Sequence, residues 1–158
     1  MKKWIGLVLL AGLSGGVAEI IWVMMYSSVS YMSSASVAQQ VTASFFPALV
    51  DAEGAIYSGI LIHLVLSILL AGIFVALVWR PFSQYLSTTQ QMLIAAIILS
   101  GVWAYNFFVA LPILNPQFVS LMPYGITLAS KILFGGGMGW VLAKNSPRNA
   151  LGWFFAGQ

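Results

Sequence analysis

The chain has 158 residues and a net charge of +3; 61% of its residues are hydrophobic, 6% are charged, and its mean hydropathy is +0.98. Soluble domains carry about 25% charged residues, so this composition excludes a water-soluble fold and predicts one all-α integral membrane domain, residues 1–158. The basic residues stand singly near helix ends, which excludes a nucleic-acid surface, and the absence of cysteine excludes disulfides and thiolate chemistry.

Four apolar runs predict a bundle of four transmembrane helices, because each is long enough to cross a hydrocarbon core of about 30 Å. The predicted spans are residues 4–26, 55–79, 92–111 and 123–143. The first run follows two lysines and has an alternative interpretation as a signal peptide. Its length exceeds the ~7–15 residues of a signal-peptide core, so we interpret it as a retained span.

The charges outside the spans predict the orientation of the chain. If the chain weaves back and forth, the two carboxylates of the first loop lie on one side, and the basic residues on the other are Lys2, Lys3, Arg80, Lys144 and Arg148. Loops on the cytoplasmic side carry the excess of lysine and arginine. We therefore expect both termini in the cytoplasm and a place in a bacterial inner membrane.

The outer loop, residues 27–54, predicts a short amphipathic helix. Val37, Val41 and Phe45 recur every four residues, which gives such a helix one apolar face against its own protein. Pro47 ends this helix, and Asp51 is the expected N-cap of the second span.

Residues at the ends of the other predicted spans indicate where those helices begin and end. Arg80-Pro81 is expected to end the second span, and the S-x-x-Q sequence from Ser87 to Gln90 is a capping box that opens the third. Pro123 suits the first position of the fourth span. The aromatic tail, residues 151–155, is expected to rest at the cytoplasmic headgroups.

Each predicted span contains one residue that is costly in lipid: Glu19, His63, Asn106 and Lys131. A charge at the bilayer centre costs about 2.5–3.5 kcal/mol, so it needs a partner or a function. At the helical rise of 1.5 Å per residue, all four lie about 20–26 Å from the cytoplasmic ends of their spans. This common height predicts one polar cluster in the outer half of the membrane.

Small residues at intervals of four predict that the polar side chains point into the bundle. Such stripes flank Glu19, His63 and Lys131, and they mark surfaces where membrane helices approach closely. We expect Glu19 and Lys131 to form an ion pair whose hydrogen bonds are completed by His63 and Asn106. The side chains expected to line the cluster are Trp22, Ser67, Trp103, Tyr105 and Thr127.

Several functions of these residues stay open. The cluster is either a structural ion pair or a site for a proton, cation or ligand. His63 offers a haem ligand but is the chain's single histidine, so a haem is not expected. Met24, Met25 and Met32 have soft sulfur atoms, yet packing suits them better than copper, and no metal site is predicted. No catalytic motif is present, so we do not expect an enzyme.

The stretch Gly15-Gly16-Val17-Ala18-Glu19 resembles the proton-linked site of small multidrug resistance transporters. This resemblance implies a proton or cation site at Glu19. It covers only these few residues, and the chain is longer, has an extended first loop and carries Lys131, for which that family has no matching charge. The chain is therefore not assigned to that family.

Two function classes follow from the sequence. The first is a non-catalytic membrane protein that serves as a subunit or assembly partner of a larger membrane complex, or that self-associates. The second is a small proton- or cation-coupled transporter or a membrane ligand-binding protein that uses Glu19 and His63.

Overall fold

The protein is all-helical in the computed structural model, which describes residues 2–146. Within them a short 3₁₀ turn, Pro47–Leu49, accompanies six helices: α1 (Lys2–Ser28), α2 (Ser34–Phe45), α3 (Ala55–Phe82), α4 (Thr88–Leu114), α5 (Pro116–Leu121) and α6 (Tyr124–Lys144). Helices α1, α3, α4 and α6 are long and apolar enough to cross a membrane, which confirms four candidate spans. The predictions for Arg148 and for the tail 151–155 lie outside the described residues.

The four long helices pack in the spatial order α3, α1, α6 and α4, each antiparallel to its neighbour. Helix α6 lies between α1 and α4, and half of its most apolar stretch is buried, against 22% in each of the other three. The helix with the most glycine is therefore the most buried of the four, because the absence of side chains lets two neighbours approach it closely.

The predicted small-residue stripes are the surfaces through which the helices meet. A Cβ atom added at Gly12 of α1 would stand 2.6 Å from the Cα atom of Ile68 in α3. At Gly135 of α6 it would stand 2.5 Å from the Cα atom of Ala96 in α4. Both distances are too short for two carbon atoms, so these two helix contacts require glycine at the two positions. We call them the α1–α3 seam and the α4–α6 seam.

The two ends of the bundle differ in charge. Lys3, Arg80 and Lys144 lie at one end, which we call the basic end, and Asp51 and Glu53 lie at the other, the acidic end. This separation follows from the antiparallel order of the helices, because each of the three cations stands at the same end of its span.

The apolar core lies towards the basic end. Its fully buried members include Leu99, Met138 and Leu142, with Phe74 and Trp79 beside them. The indole nitrogen of Trp79 donates a hydrogen bond to the side-chain oxygen of Gln91 at 2.8 Å, which joins α3 to α4. The amide nitrogen of Gln91 donates in turn to the carbonyl oxygens of Ser83 (3.3 Å) and Leu86 (3.0 Å) in the connecting loop.

Two segments of π-helix precede prolines inside the long helices. Val75–Trp79 lies just before Pro81, and Asn106–Ala110 lies just before Pro112. A proline ring clashes with the carbonyl group four residues earlier, and a wider turn relieves that clash. The prediction that Arg80-Pro81 ends the second span is therefore wrong, since the helix continues to Phe82.

The helix caps agree with the sequence at one position and differ at two. The capping box of α4 is confirmed: Ser87 N donates to the Gln90 side-chain oxygen at 2.8 Å, and Gln90 N donates to the Ser87 hydroxyl at 3.3 Å. Gly54, not Asp51, is the N-cap of α3. Pro123 is the N-cap of α6 rather than its first residue, because its ψ of 137° is extended.

Helix α2 covers the acidic end of α3, but it contacts α3 through Ala38 and Thr42, and Phe45 of the predicted apolar face is 52% exposed. The Thr42 hydroxyl donates to the Ala55 carbonyl oxygen at 2.6 Å, and the carbonyl group of Ala38 contacts Gly59. The amide nitrogen of the buried Asn115 side chain, between α4 and α5, lies within hydrogen-bond distance of the backbone oxygen (3.0 Å) and side-chain oxygen (3.0 Å) of Gln40 and of the Ser44 hydroxyl (3.1 Å), and it has two protons to donate among them.

Asn115→Ala is expected to loosen α2. The substitution removes the amide that joins Gln40 and Ser44 of α2 to the α4–α5 connection, so we expect a loss of about 1–2 kcal/mol in the free energy of unfolding. Amide hydrogen exchange in 34–45 should become faster, while exchange in 124–144 stays unchanged. Asn145→Ala, which removes an amide bonded to Val141 O of its own helix, is the matched control. Equal exchange in α2 of both variants would contradict this assignment.

Candidate functional site

Three charged or titratable side chains meet where α1, α3 and α6 pack together: Glu19, His63 and Lys131. We call them the charge cluster. Glu19 is buried, and the Nζ atom of Lys131 lies 2.7 Å from its Oε2 atom. This is the distance of a charge-assisted hydrogen bond, so the pair joins the first long helix to the last.

Ser130 completes the surroundings of the carboxylate. Its buried hydroxyl lies 2.9 Å from Glu19 Oε1 and 2.7 Å from the Thr127 carbonyl oxygen, and its single proton serves one of them at a time. Ser130 was not predicted from the sequence, because steps of four along α6 from Lys131 do not reach it. Steps of three and four from Thr127 reach Ser130 and then the buried Phe134, and this alternation is the signal that finds it.

His63 approaches the carboxylate from α3. Its Nε2 atom lies 3.9 Å from Glu19 Oε2 and 3.2 Å from the carbonyl oxygen of Gly16. Because a carbonyl oxygen only accepts, Nε2 carries a proton in this arrangement. Ser67, one turn away, donates its hydroxyl proton to the His63 carbonyl oxygen at 2.7 Å. His63 is therefore positioned beside the ion pair but hydrogen-bonded to the backbone of α1.

Two tryptophans bond to α6 just beyond the cluster, towards the acidic end. The Trp22 indole nitrogen donates to the Ile126 carbonyl oxygen at 3.0 Å, and that of Trp103 donates to the Thr127 hydroxyl at 2.9 Å. Trp22 thus ties α1 to α6, and Trp103 ties α4 to the same part of α6. Of the other expected lining residues, Ser67 lies beside the cluster, whereas Tyr105 is 61% exposed on the outer surface of α4.

Asn106 lies apart from the charge cluster. Ala96 faces Gly135 across the α4–α6 seam, so the antiparallel register places Ser100 opposite Lys131. Asn106 is therefore about 9 Å further along α4, towards the acidic end. Within residues 2–146 its side chain makes no hydrogen bond to the cluster. The predicted common height was therefore wrong for Asn106. The height of Asn106 was counted from Gln91 and that of Lys131 from Lys144, and these two residues do not face each other.

An open groove of about 750 Å³ lies at the acidic end, between the segments 26–32 and 116–124. Tyr26 and Tyr124 contribute to its wall, and the Trp22–Ile126 hydrogen bond lies between these residues and the charge cluster along α1 and α6. In the part of the chain that the structure describes, no three His, Cys, Asp or Glu side chains are placed to hold a metal ion.

These features define a small all-helical protein with four candidate membrane helices and an ion pair between the first and the last. In comparisons with known proteins, no family model, curated protein or solved structure matches the chain.

Proposed function

We propose that this is a non-catalytic, four-span protein of a bacterial inner membrane that serves as a small subunit or assembly partner of a larger membrane complex. In this proposal both termini face the cytoplasm, so that the basic end meets that side of the bilayer. The separation of Lys3, Arg80 and Lys144 from Asp51 and Glu53 supports this orientation.

The proposal rests on one observation: both oxygen atoms of the Glu19 carboxylate already have partners. Lys131 donates to one of its oxygen atoms and Ser130 lies within hydrogen-bond distance of the other. A carrier has to load and release its ion or proton, and a carboxylate hydrogen-bonded to an ammonium group at 2.7 Å resists both. The same pair suits a component that fixes how its helices are arranged.

Packing around the cluster supports the same function. Backbone contacts at Gly12 and Gly135 close the α1–α3 and α4–α6 seams, which leaves little room for a solute to pass between those helices. The outward faces of α3 and α4 are strongly apolar; Leu77 is 68% exposed and Ile97 is 69% exposed. Such faces suit lipid and the apolar surfaces of other membrane subunits.

A second function, a proton- or cation-coupled carrier or a ligand-binding protein, has two observations in its favour. His63 Nε2 lies 3.9 Å from the Glu19 carboxylate, which is close enough for a relay after a small movement of the ring. The groove at the acidic end also approaches the cluster and is separated from it by Trp22. Both require the ion pair to open, so we rank this function second.

The double variant Glu19→Gln/Lys131→Met separates the two functions, because it removes both charges without leaving either one alone. If the protein is an assembly partner, the variant should migrate with the same larger complex as wild type on native gels of membranes solubilised in mild detergent. If it is a carrier, wild-type vesicles should show pH-dependent uptake or binding that the folded double variant has lost. A wild-type protein that migrates without any other protein contradicts the assembly proposal.

A further inference from the structure

At the basic end, Arg80 lies over a tryptophan ring that packs against a second tryptophan. Its guanidinium carbon lies 5.1 Å from the centre of the Trp4 ring, and Trp4 packs edge-on against Trp79 at 5.8 Å. Trp79 is buried and hydrogen-bonded to Gln91. The α1 and α3 ends are therefore held together, and the guanidinium plane lies beside an aromatic face in an exposed position.

The positive charge of Arg80 has no carboxylate partner in the part of the chain that the structure describes. Within residues 2–146 no carboxylate pairs with Arg80, and its side chain donates no hydrogen bond there. Lys3, next to Trp4 in the chain, is also exposed. Outside the charge cluster, the other carboxylate side chains among residues 2–146, Asp51 and Glu53, stand at the opposite end of the bundle, so no side chain in this part of the protein balances the charges of Arg80 and Lys3.

An apolar strip begins directly below the guanidinium. Going back along α3 from Arg80, Leu77, Ile73 and Leu69 come at intervals of three and four residues. More than half of each of these side chains is exposed. On the adjacent helix, Ile5 and Leu9 are exposed as well. A cation above a long apolar strip matches the shape of one lipid molecule, with a charged headgroup above its acyl chains.

We propose that Arg80 and Lys3 bind the headgroup phosphate of an anionic phospholipid, whose acyl chain lies along Leu77, Ile73 and Leu69. The planar guanidinium favours a phosphate because it offers two parallel N–H donors. Two uncompensated positive charges favour an anionic lipid over a zwitterionic one. The apolar strip favours a phospholipid over free phosphate. This inference needs a bilayer location but not the assembly function.

Native mass spectrometry of the full-length protein in detergent, titrated with phosphatidylglycerol or with phosphatidylcholine of identical chains, tests the site. Wild type should retain phosphatidylglycerol more tightly. Arg80→Gln should weaken that binding about five-fold, the change expected for one basic side chain near an anionic lipid surface. Arg80→Lys keeps the charge and should lose less. Phosphatidylcholine binding should stay unchanged in both variants.

Lys144→Gln is the matched control, because it removes the same charge at the same end from a lysine whose ammonium lies over its own helix's Trp140, 3.9 Å from the ring centre. Its binding of phosphatidylglycerol should change less than that of Arg80→Gln. Equal binding of the two lipids by wild type overturns the proposal. Displacement of the lipid by millimolar glycerol phosphate also overturns it, since the site would then recognise free phosphate.

Discussion

Lys131→Met is expected to destabilise the protein by about 3–5 kcal/mol, the usual cost of removing one partner from a buried ion pair. Methionine fills nearly the volume of lysine, so packing is conserved and the loss reports on charge. The Glu19 carboxylate would stay buried with the Ser130 hydroxyl and the His63 ring nearby, but the hydroxyl already has the Thr127 carbonyl as an alternative acceptor and His63 Nε2 is bonded to the Gly16 carbonyl. A carboxylate buried among these helices without its ammonium partner has no inexpensive arrangement.

The free energy of unfolding in mixed micelles titrated with sodium dodecyl sulfate measures this loss, and protein abundance in membranes gives a second measure. Glu19→Gln/Lys131→Met should recover most of the lost stability, because neither charge then remains alone. Lys144→Met, at the exposed end of α6, should change the stability by less than about 0.5 kcal/mol. A double variant as unstable as Lys131→Met would show that the pair contributes through packing instead of charge.

The four long helices were predictable because membrane hydropathy is a local property. Each run satisfies the length and composition of a span by itself, without any knowledge of its neighbours. The helix ends were less predictable. A proline normally ends a helix, but Pro81 and Pro112 follow π-helical turns that widen the backbone, and nothing in the local sequence reveals such turns.

The site was only partly predictable, because its residues depend on the register between helices. The common height of Glu19, His63 and Lys131 could be predicted, since their helices start or end at recognisable charges. Asn106 was misplaced because α4 is shifted along α6, and that shift is set by the contact of Gly135 with Ala96. The alternation of three and four residues along α6 places Ser130 on a buried face, but its contact with Glu19 depends on the register between α1 and α6, which the sequence of α6 does not contain.

Gly135→Ala is expected to destabilise the protein by about 3 kcal/mol, at the upper end of the cost of overpacking a core. The new methyl group would stand 2.5 Å from the Cα atom and 2.6 Å from the backbone nitrogen of Ala96. These atoms belong to the backbone of α4, so no side-chain rotation makes room. The two helices must move apart, and the buried contacts of Leu99 and Met138 in the same core weaken with them.

Gly136→Ala is the matched control, one residue further along the same helix. A Cβ atom at Gly136 meets nothing within 4 Å, so the substitution adds no clash. Alanine also has the better helix propensity, by about 1 kcal/mol, and we expect this variant to be as stable as wild type or more stable. The same measurement of unfolding should therefore give opposite signs for two adjacent Gly→Ala substitutions.

Comparing these two variants shows whether Gly135 acts through its close contact with α4 or only through the glycine content of α6. If the glycines of α6 serve only to make the helix flexible or less apolar, both substitutions should change the stability in the same direction. If Gly135 sets the distance between α4 and α6, only Gly135→Ala should unfold at a lower detergent fraction. The Trp103–Thr127 hydrogen bond spans the same seam, so the tryptophan emission spectrum of the protein should also change in Gly135→Ala. An unchanged emission together with equal stabilities would show that the α4–α6 seam is not closely packed.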